Sequence, residues 1–343
     1  MELIAIDLFS GCGGLTQGLK QAGVNVVAAI ENNENAAKTY KMNHPEINLI
    51  QDDIRNVEIN DILSKYSNKK INLVAGCPPC QGFSNIRTRN RGNIIEDERN
   101  TLILEYLRMI EGLKPIFIIM ENVPGIIHYH YFKVTVNRLI ELGYRLDYQV
   151  INVEDYGVPQ RRKRLVLLGS LIGGVAIPSN AVYKRTTVRD YINKLPSTEE
   201  SDDPMHKIFS KHGEKVRKII SLIPKDGGSR KDLPQEYWLD CHKKDGIGFS
   251  DIYGRLSWDK VSSTITGGCL NPSKGRFLHP TEDRTITARE AALLQTFPKD
   301  YKFPSDISKG ELAQMIGNSF PPKFSEIQAS YLKQLLIAET TKV

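Results

Sequence analysis

The opening stretch, through Gly23, restricts the fold more than any other part of the chain. Leu3-Ile-Ala-Ile-Asp-Leu-Phe9 is an apolar run of strand length, interrupted only by Asp7. Ser10-Gly-Cys-Gly-Gly14 follows, and Leu15 to Ala22 then reads as a helix closed by Gly23. A short apolar run bounded by turn signals marks a strand buried on both faces. Strand, glycine turn and helix in succession open a nucleotide-binding sheet. The glycines let the backbone approach a ligand, and the helix N-terminus offers free N–H groups. The pattern is not G-x-G-x-x-G, because Gly11, Gly13 and Gly14 are followed by Leu15 and Thr16, and no lysine is present to meet a phosphate. That argues against a phosphate-binding loop and fits an adenosine ligand without a pyrophosphate. A purely structural glycine turn is the alternative reading of the turn alone.

The same layout repeats along the chain, and chemistry collects where apolar runs end. Val24 to Ile30 is a second strand ending in Glu31 and Asn32, where an acid suits a ribose diol. Leu49-Ile-Gln-Asp-Asp-Ile54 is a third, with Asp52 or Asp53 placed to accept from an adenine amino group or to stand as a solvated turn acid. Ile71 to Ala75 is a fourth, breaking at Gly76 before Cys77-Pro-Pro-Cys80. Ligands of open α/β sheets bind outside the carboxyl ends of strands, so a thiol held there by prolines is placed to react. Asn85 to Asn100 is polar and rich in arginine, the composition of a functional loop.

Thr101 to Gly112 predicts an amphipathic helix. Pro115 to Gly125 predicts a fifth strand, ending in Glu121-Asn122. Desolvation at such a strand end favours a protonated carboxyl, suited to a general acid, although a capping or ion-paired glutamate fits too. Tyr144 to Val153 and Leu165 to Gly169 complete the sheet. Between them runs Gly157-Val-Pro-Gln-Arg-Arg-Lys-Arg164, and an arginine turned inward there needs an acceptor.

After about Pro178 the composition changes. As far as Trp258 the chain is polar and irregular, with basic clusters at 207–218 and 225–231 and with Tyr237, Trp238, Phe249 and Tyr253 among them. That mixture suits a nucleic-acid surface, although basic runs are also common as solvated faces. Thr287 and Glu290 form a capping box at the head of a helix. Gly317-Asn-Ser-Phe-Pro-Pro322 is a sharp turn before a final helix, Lys323 to Ala338.

The whole has 343 residues, 40% apolar and 25% charged, with a net charge of +6. This is the composition of a globular protein of about two domains, and the mild excess of cations permits a polyanionic partner. The cysteine number, 5, is odd, no leader pattern opens the chain, and no apolar run approaches the ~20 residues of a membrane span. Reduced thiols and an intracellular setting follow. Zinc would need a second ligand pair beside Cys77 and Cys80; Cys241 and His242 are adjacent and lack that spacing, so no metal site is expected.

Taken in order, these elements resemble the DNA cytosine-5 methyltransferases over nearly the whole chain. Asp7-Leu-Phe-Ser-Gly-Cys-Gly-Gly14 is similar to that family's donor turn, Glu31 to its ribose acid, Asp53-Ile54 to its adenine contact and Pro78-Pro-Cys-Gln81 to its Pro-Cys-Gln. Glu121-Asn-Val123, Gln160-x-Arg162-x-Arg164, Arg289-Glu-Ala-Ala-Leu-Leu-Gln-Thr-Phe-Pro298 and Gly317-Asn-Ser319 match the remaining motifs. Phe320 departs from the pattern, since a smaller aliphatic residue is common there.

The resemblance implies a Rossmann-like S-adenosylmethionine-dependent sheet with helices on both faces, spanning residues 1–178. A smaller, irregular, mostly β target-recognition domain with its hinge would occupy 179–304, and 305–343 would return to the catalytic part. S-adenosylmethionine is the implied cofactor, bound by Asp7, Phe9, Gly11, Gly13, Gly14, Glu31, Asn32, Asp53, Ile54, Pro79, Asn318 and Ser319. Cys80 is the implied nucleophile, Glu121 the acid, Arg164 the holder of the base carbonyl and Arg162 its support. Gln81, Ser84, Arg87, Arg89 and Arg99 belong to the implied lid over a flipped base.

Double-stranded DNA is the implied partner, for a monomer in a bacterial cytoplasm or nucleoid, and a restriction nuclease acting on the same site is compatible with this reading. An RNA methyltransferase of the same fold is the nearer alternative. Its transfer-RNA branch carries Cys-Phe-Thr, whereas here His242-Lys243 follows Cys241 and Leu270-Asn271 follows Cys269. A non-catalytic DNA-binding module is the other, opposed by intact Cys80, Glu121 and Arg164.

Overall fold

A computed structural model describes residues 2–79, 101–238 and 251–341. The chain separates into two compact units. The first comprises Met1–Asn152, Lys163–Val182 and Phe320–Val343; the second comprises Val153–Arg162 and Tyr183–Ser319.

The first unit is built on one sheet. Its strands are β1 (Ile4–Leu8), β2 (Asn25–Ile30), β3 (Asn48–Ile50), β4 (Leu73–Gly76), β5 (Phe117–Asn122), β6 (Arg145–Asn152) and β7 (Lys163–Ser170). Their order across the sheet is β3-β2-β1-β4-β5-β7-β6. The pairings from β3 through to β5 are parallel, whereas β7 runs antiparallel to both β5 and β6. Strand order reverses between β1 and β4, so the crevice beyond their carboxyl ends is the place for a ligand.

Helices α1 (Gly14–Gln21), α2 (Glu34–Asn43), α3 (Ile59–Lys65), α4 (Leu102–Leu113) and α5 (His130–Glu141) connect the strands. Ile6, Leu8, Val74, Ile118 and Met120 pack with Ile103, Tyr106 and Ile110 of α4 and Phe132 of α5 in one apolar core. Asp7 alternates with Ile6 and Leu8 along β1, so its bond to Thr16 places α1 on the opposite face of the sheet. There α1 meets the last helix, which is numbered α10 below (Pro322–Thr341). A β-carbon added at Gly18 would lie 1.9 Å from Ser325 Oγ and 2.1 Å from the Pro322 carbonyl, so this helix crossing requires glycine.

The second unit carries α6 (Val188–Ile192), α7 (Glu214–Leu222), α8 (Ala288–Leu294) and α9 (Lys309–Asn318), joined by short 3₁₀ turns. A mostly β domain was expected here. Among the described residues there are only isolated bridges, such as Arg255 with Leu278 and Leu278 with Thr285. Buried side chains satisfy the carbonyls that strands would otherwise pair. Arg255, fully buried, donates to the carbonyls of Ile220, Ile223, His279 and Glu282 and pairs with Asp283.

The units also cut the chain at other places than the expected boundaries. Residues 305–319 group with the second unit, because Gln295 Nε2 donates to the carbonyls of Ile316 (2.9 Å) and Ser319 (2.6 Å). The first unit resumes at Phe320, which is buried and edge-on to Phe324 at 5.6 Å. Among the described residues, no helix is long and apolar enough to cross a membrane.

Candidate active site

The donor turn follows directly from β1. Phe9 has φ +59°, a left-handed conformation unfavourable for a side chain bearing a β-carbon, and Gly11 (φ +56°) and Gly13 (φ +90°) share that region. Strain of this kind is kept where geometry is needed for function. Among the described residues, an added β-carbon at Gly11 would meet nothing within 4 Å, so this part of the turn is open to a ligand's approach. Gly14 is the first residue of α1.

Glu31, at the end of β2, accepts from the Gly11 N–H at 2.8 Å and the Asn33 N–H at 2.7 Å. This clamps the turn to the neighbouring strand end and places an acid beside it. Burial pushes the Glu31 carboxyl above its ordinary range. Asn32 is exposed next to it. A left-handed turn open to space, a helix N-terminus and a partly desolvated acid suit an adenosine bearing a charged sulfonium side chain.

Other expected donor contacts are placed differently. Asp7 lies beneath the turn. Its side chain is fully buried and accepts from the Thr16 hydroxyl at 2.6 Å, and that hydroxyl is 2.9 Å from the Tyr40 hydroxyl. A group without exposed surface supports the turn and does not face a ligand; burial pushes its carboxyl up to about 7. The Ile54 side chain belongs to the apolar core. Asp53 caps a 3₁₀ turn, and both its oxygens engage Arg55, at 2.9 and 2.6 Å. Asn318 and Ser319 end α9 in the second unit, with Asn318 exposed.

Parallel register brings the expected chemistry to the ends of β4 and β5. Gly76 pairs with Met120, so Cys77 and Glu121 follow side by side. Gly76 admits no side chain, because an added β-carbon would approach the Leu8 carbonyl to 2.8 Å. Beyond it Asn122, buried, donates from Nδ2 to the Pro78 carbonyl at 2.9 Å and accepts from the Val123 N–H at 2.8 Å. This bond fixes the approach through Pro78 and Pro79 to Cys80. No role was expected of Asn122; its place beside Glu121 at a buried strand end is the signal that could have assigned one. Cys80 itself, with Gln81, Ser84, Arg87, Arg89 and Arg99, lies outside the described residues.

Arg164 Nε stands 2.5 Å from Glu121 Oε1, both side chains largely buried. The antiparallel register of β7 on β5, with Asn122 opposite Leu165, sets this pair. The inward arginine thus finds the acceptor its position demands. Of the two readings of this glutamate, the ion-paired one is what the geometry matches.

Arg162, also expected in the reaction, is 2% exposed and donates from Nη1 to the carbonyls of Ile265 (3.0 Å) and Gly317 (2.7 Å) within the second unit. These bonds make it a structural tie. Gln160 joins the same knot. Its Nε2 donates to the Leu294 carbonyl and to Gln295 Oε1, and its Oε1 accepts from the Ile265 N–H. Three sequence motifs of the resemblance therefore meet in one buried hydrogen-bond network, through Gln160, Gln295 and Gly317. Gly317 is needed there, since a β-carbon would come within 2.1 Å of the Thr266 backbone.

Comparison with known proteins gives the family. The family model for C-5 cytosine-specific DNA methylase matches residues 3–334. The Type II methylase M.HgiDII of Herpetosiphon aurantiacus is 35% identical, over 96% of this chain and 95% of that protein. The Type II methyltransferase M1.HphI of Haemophilus parahaemolyticus is 31% identical, over 95% and 85%. Among solved structures, a prophage-encoded DNA modification methyltransferase from E. coli matches with a TM-score of 0.72 and 26% identity, over 98% of this chain and all of that one. The S. pombe Dnmt2 methyltransferase, at 21% identity and a TM-score of 0.66, shares the fold.

The chain belongs to the C-5 cytosine-specific DNA methylase family. It is a DNA cytosine-5 methyltransferase, and its methyl donor is S-adenosylmethionine.

Proposed function

We propose that the protein methylates carbon-5 of a cytosine flipped out of a specific double-stranded sequence, through a covalent bond from Cys80 to carbon-6. The observation that carries this reading is the Glu121–Arg164 pair at the ends of β5 and β7, beside the Cys77-Pro78-Pro79 segment that leads to Cys80. Bound S-adenosylmethionine supplies an electrophilic methyl group. The residues supply the activated base.

Addition of the Cys80 thiolate to carbon-6 pushes an electron pair into the ring and makes carbon-5 enamine-like. Arg164 receives the base carbonyl oxygen, and Glu121 holds a proton at ring nitrogen 3 once the base edge has drawn Arg164 away. After methylation, loss of the carbon-5 proton returns the pair to the ring and expels the thiolate. Phe9, the glycine turn, Glu31, Asn32 and Pro79 hold the donor, while Gln81, Ser84, Arg87, Arg89 and Arg99 close over the base. Extrusion of the base costs a few kcal/mol and is needed because carbon-6 is shielded within the stack.

The relatives named Type II methyltransferases support a place in restriction–modification, in a bacterial cell, opposite a nuclease of the same specificity.

Duplex DNA carrying 5-fluorocytosine at the target, which bisulfite sequencing of DNA from expressing cells would locate, tests the chemistry. A denaturation-resistant adduct is expected with the native chain and none with Cys80→Ala, which should still bind DNA. Methyl transfer by Cys80→Ala would overturn the scheme. Transfer to RNA in preference to DNA would overturn the substrate.

A further inference from the structure

Cys77 has no part in the scheme above, yet it stands among the groups that carry it. It follows Gly76 out of β4, and its N–H donates to the Leu8 carbonyl at 3.3 Å, so its backbone is held by β1. The parallel register continues past Gly76 and Met120 and sets it beside Glu121, whose carboxylate its thiol senses. It is a free thiol. The charged or titratable groups around it come from each neighbouring strand and helix: Asp7 of β1, Glu121 of β5, Arg164 of β7 and Tyr106 of α4. Burial, with Glu121 and Asp7 close by, keeps this thiol well above its ordinary range, so it carries a proton and acts as a donor.

Glu121 is thus approached from two sides, by the Arg164 guanidinium 2.5 Å from Oε1 and by the thiol. When Arg164 turns to a base carbonyl, the thiol is the contact that still fixes the carboxyl plane. We infer that Cys77 is a positioning residue for Glu121, its S–H donating to the carboxylate and holding it toward the base edge. A thiol donor is weak and long, so it orients the carboxylate without neutralising it. The inference rests on the role proposed for Glu121.

The test compares Cys77→Ala and Cys77→Gly, which lack the donor, with Cys77→Ser, which keeps one, using the full chain, duplex DNA and S-adenosylmethionine. One hydrogen bond to a charged group sets the scale. The expected result is a fall in kcat of about three- to tenfold for the donor-free variants, with KM for S-adenosylmethionine unchanged. Cys77→Ser should return kcat toward the native value, a rescue that a purely space-filling role at this position would not give. Donor-free variants whose rate superimposes on the native one would overturn the inference. So would a serine variant that behaves like alanine.

Glu121→Gln, measured alongside, separates the two ideas. If it turns over at the native rate, the role proposed for Glu121 fails. If it is crippled while Cys77→Ala is not, only the inference about Cys77 fails.

Discussion

The two units meet the same requirement by different means. Every buried backbone N–H and C=O needs a partner. In the first unit the partners are mostly other backbone groups, supplied by a sheet whose central strands β4 and β5 are wholly buried. In the second, among the described residues, many are side chains: Arg255, Arg162, Gln160, Gln295 and Arg276 all donate to carbonyls, and Arg276 alone reaches those of Gly227, Gly228 and Arg255. A ladder distributes its strength over many equivalent bonds. A hub concentrates it in one residue.

That contrast predicts where single substitutions hurt most. Arg255→Ala should be the most damaging, because it takes a donor from four carbonyls at once and leaves the Asp283 carboxylate with Lys225 alone. A loss of about 3–5 kcal/mol is expected in denaturant unfolding, with the second unit affected first; a change under about 1 kcal/mol would mean that the hub is dispensable.

The first unit buries an ionisable side chain of its own, Asp7, and pH should expose it. Its carboxyl is raised from an ordinary 3.8 to about 7 on folding, so the folded state binds the proton more tightly. The resulting stabilisation is complete below pH 3.8 and is lost as pH climbs through about 7. Asp7→Asn should flatten this slope, removing a difference of about 4 kcal/mol in unfolding free energy between pH 4 and 8. Parallel pH curves for the two proteins would show that Asp7 does not titrate in this range.

The smallest effect belongs to a local cap. Thr287 bonds the Glu290 N–H at 3.1 Å, and Glu290 returns a bond to the Thr287 N–H at 2.7 Å. Thr287→Ala should cost about 1 kcal/mol, somewhat more if the lost His206 contact at 3.0 Å also counts.

The same contrast explains what the sequence could show. Strands buried on both faces are apolar runs, so β1, β4, β5 and β7 were readable to within a residue or two. The runs also showed which residues stand at strand ends, and Glu121 and Arg164 were found that way. Arg164 was legible because a cation entering a buried strand must find an acid.

The second unit carries no comparable period. Nothing in Tyr253-Gly-Arg-Leu256 marks Arg255 as buried, and Arg230, read as part of a basic surface, is 6% exposed and lies over the Trp238 ring. Side-chain bonds to distant carbonyls depend on where loops return, and loops have no sequence rhythm. Asp7 was misplaced for a related reason: strand alternation sends it to the face that α1 covers, and which face is covered is a tertiary fact.

The glycine contact between α1 and α10 has a consequence for the order of events during synthesis. Ser325 Oγ bonds the Leu15 carbonyl, and Lys333 Nζ reaches that of Ala22 at 3.2 Å. These partners are separated by about 310 residues, a very long loop to close before either helix is secured. A nascent chain therefore displays its donor turn early but cannot brace it until α10 has left the ribosome. Until then α1 keeps an uncovered face, so the turn that begins the chain's chemistry waits for a helix some 310 residues downstream.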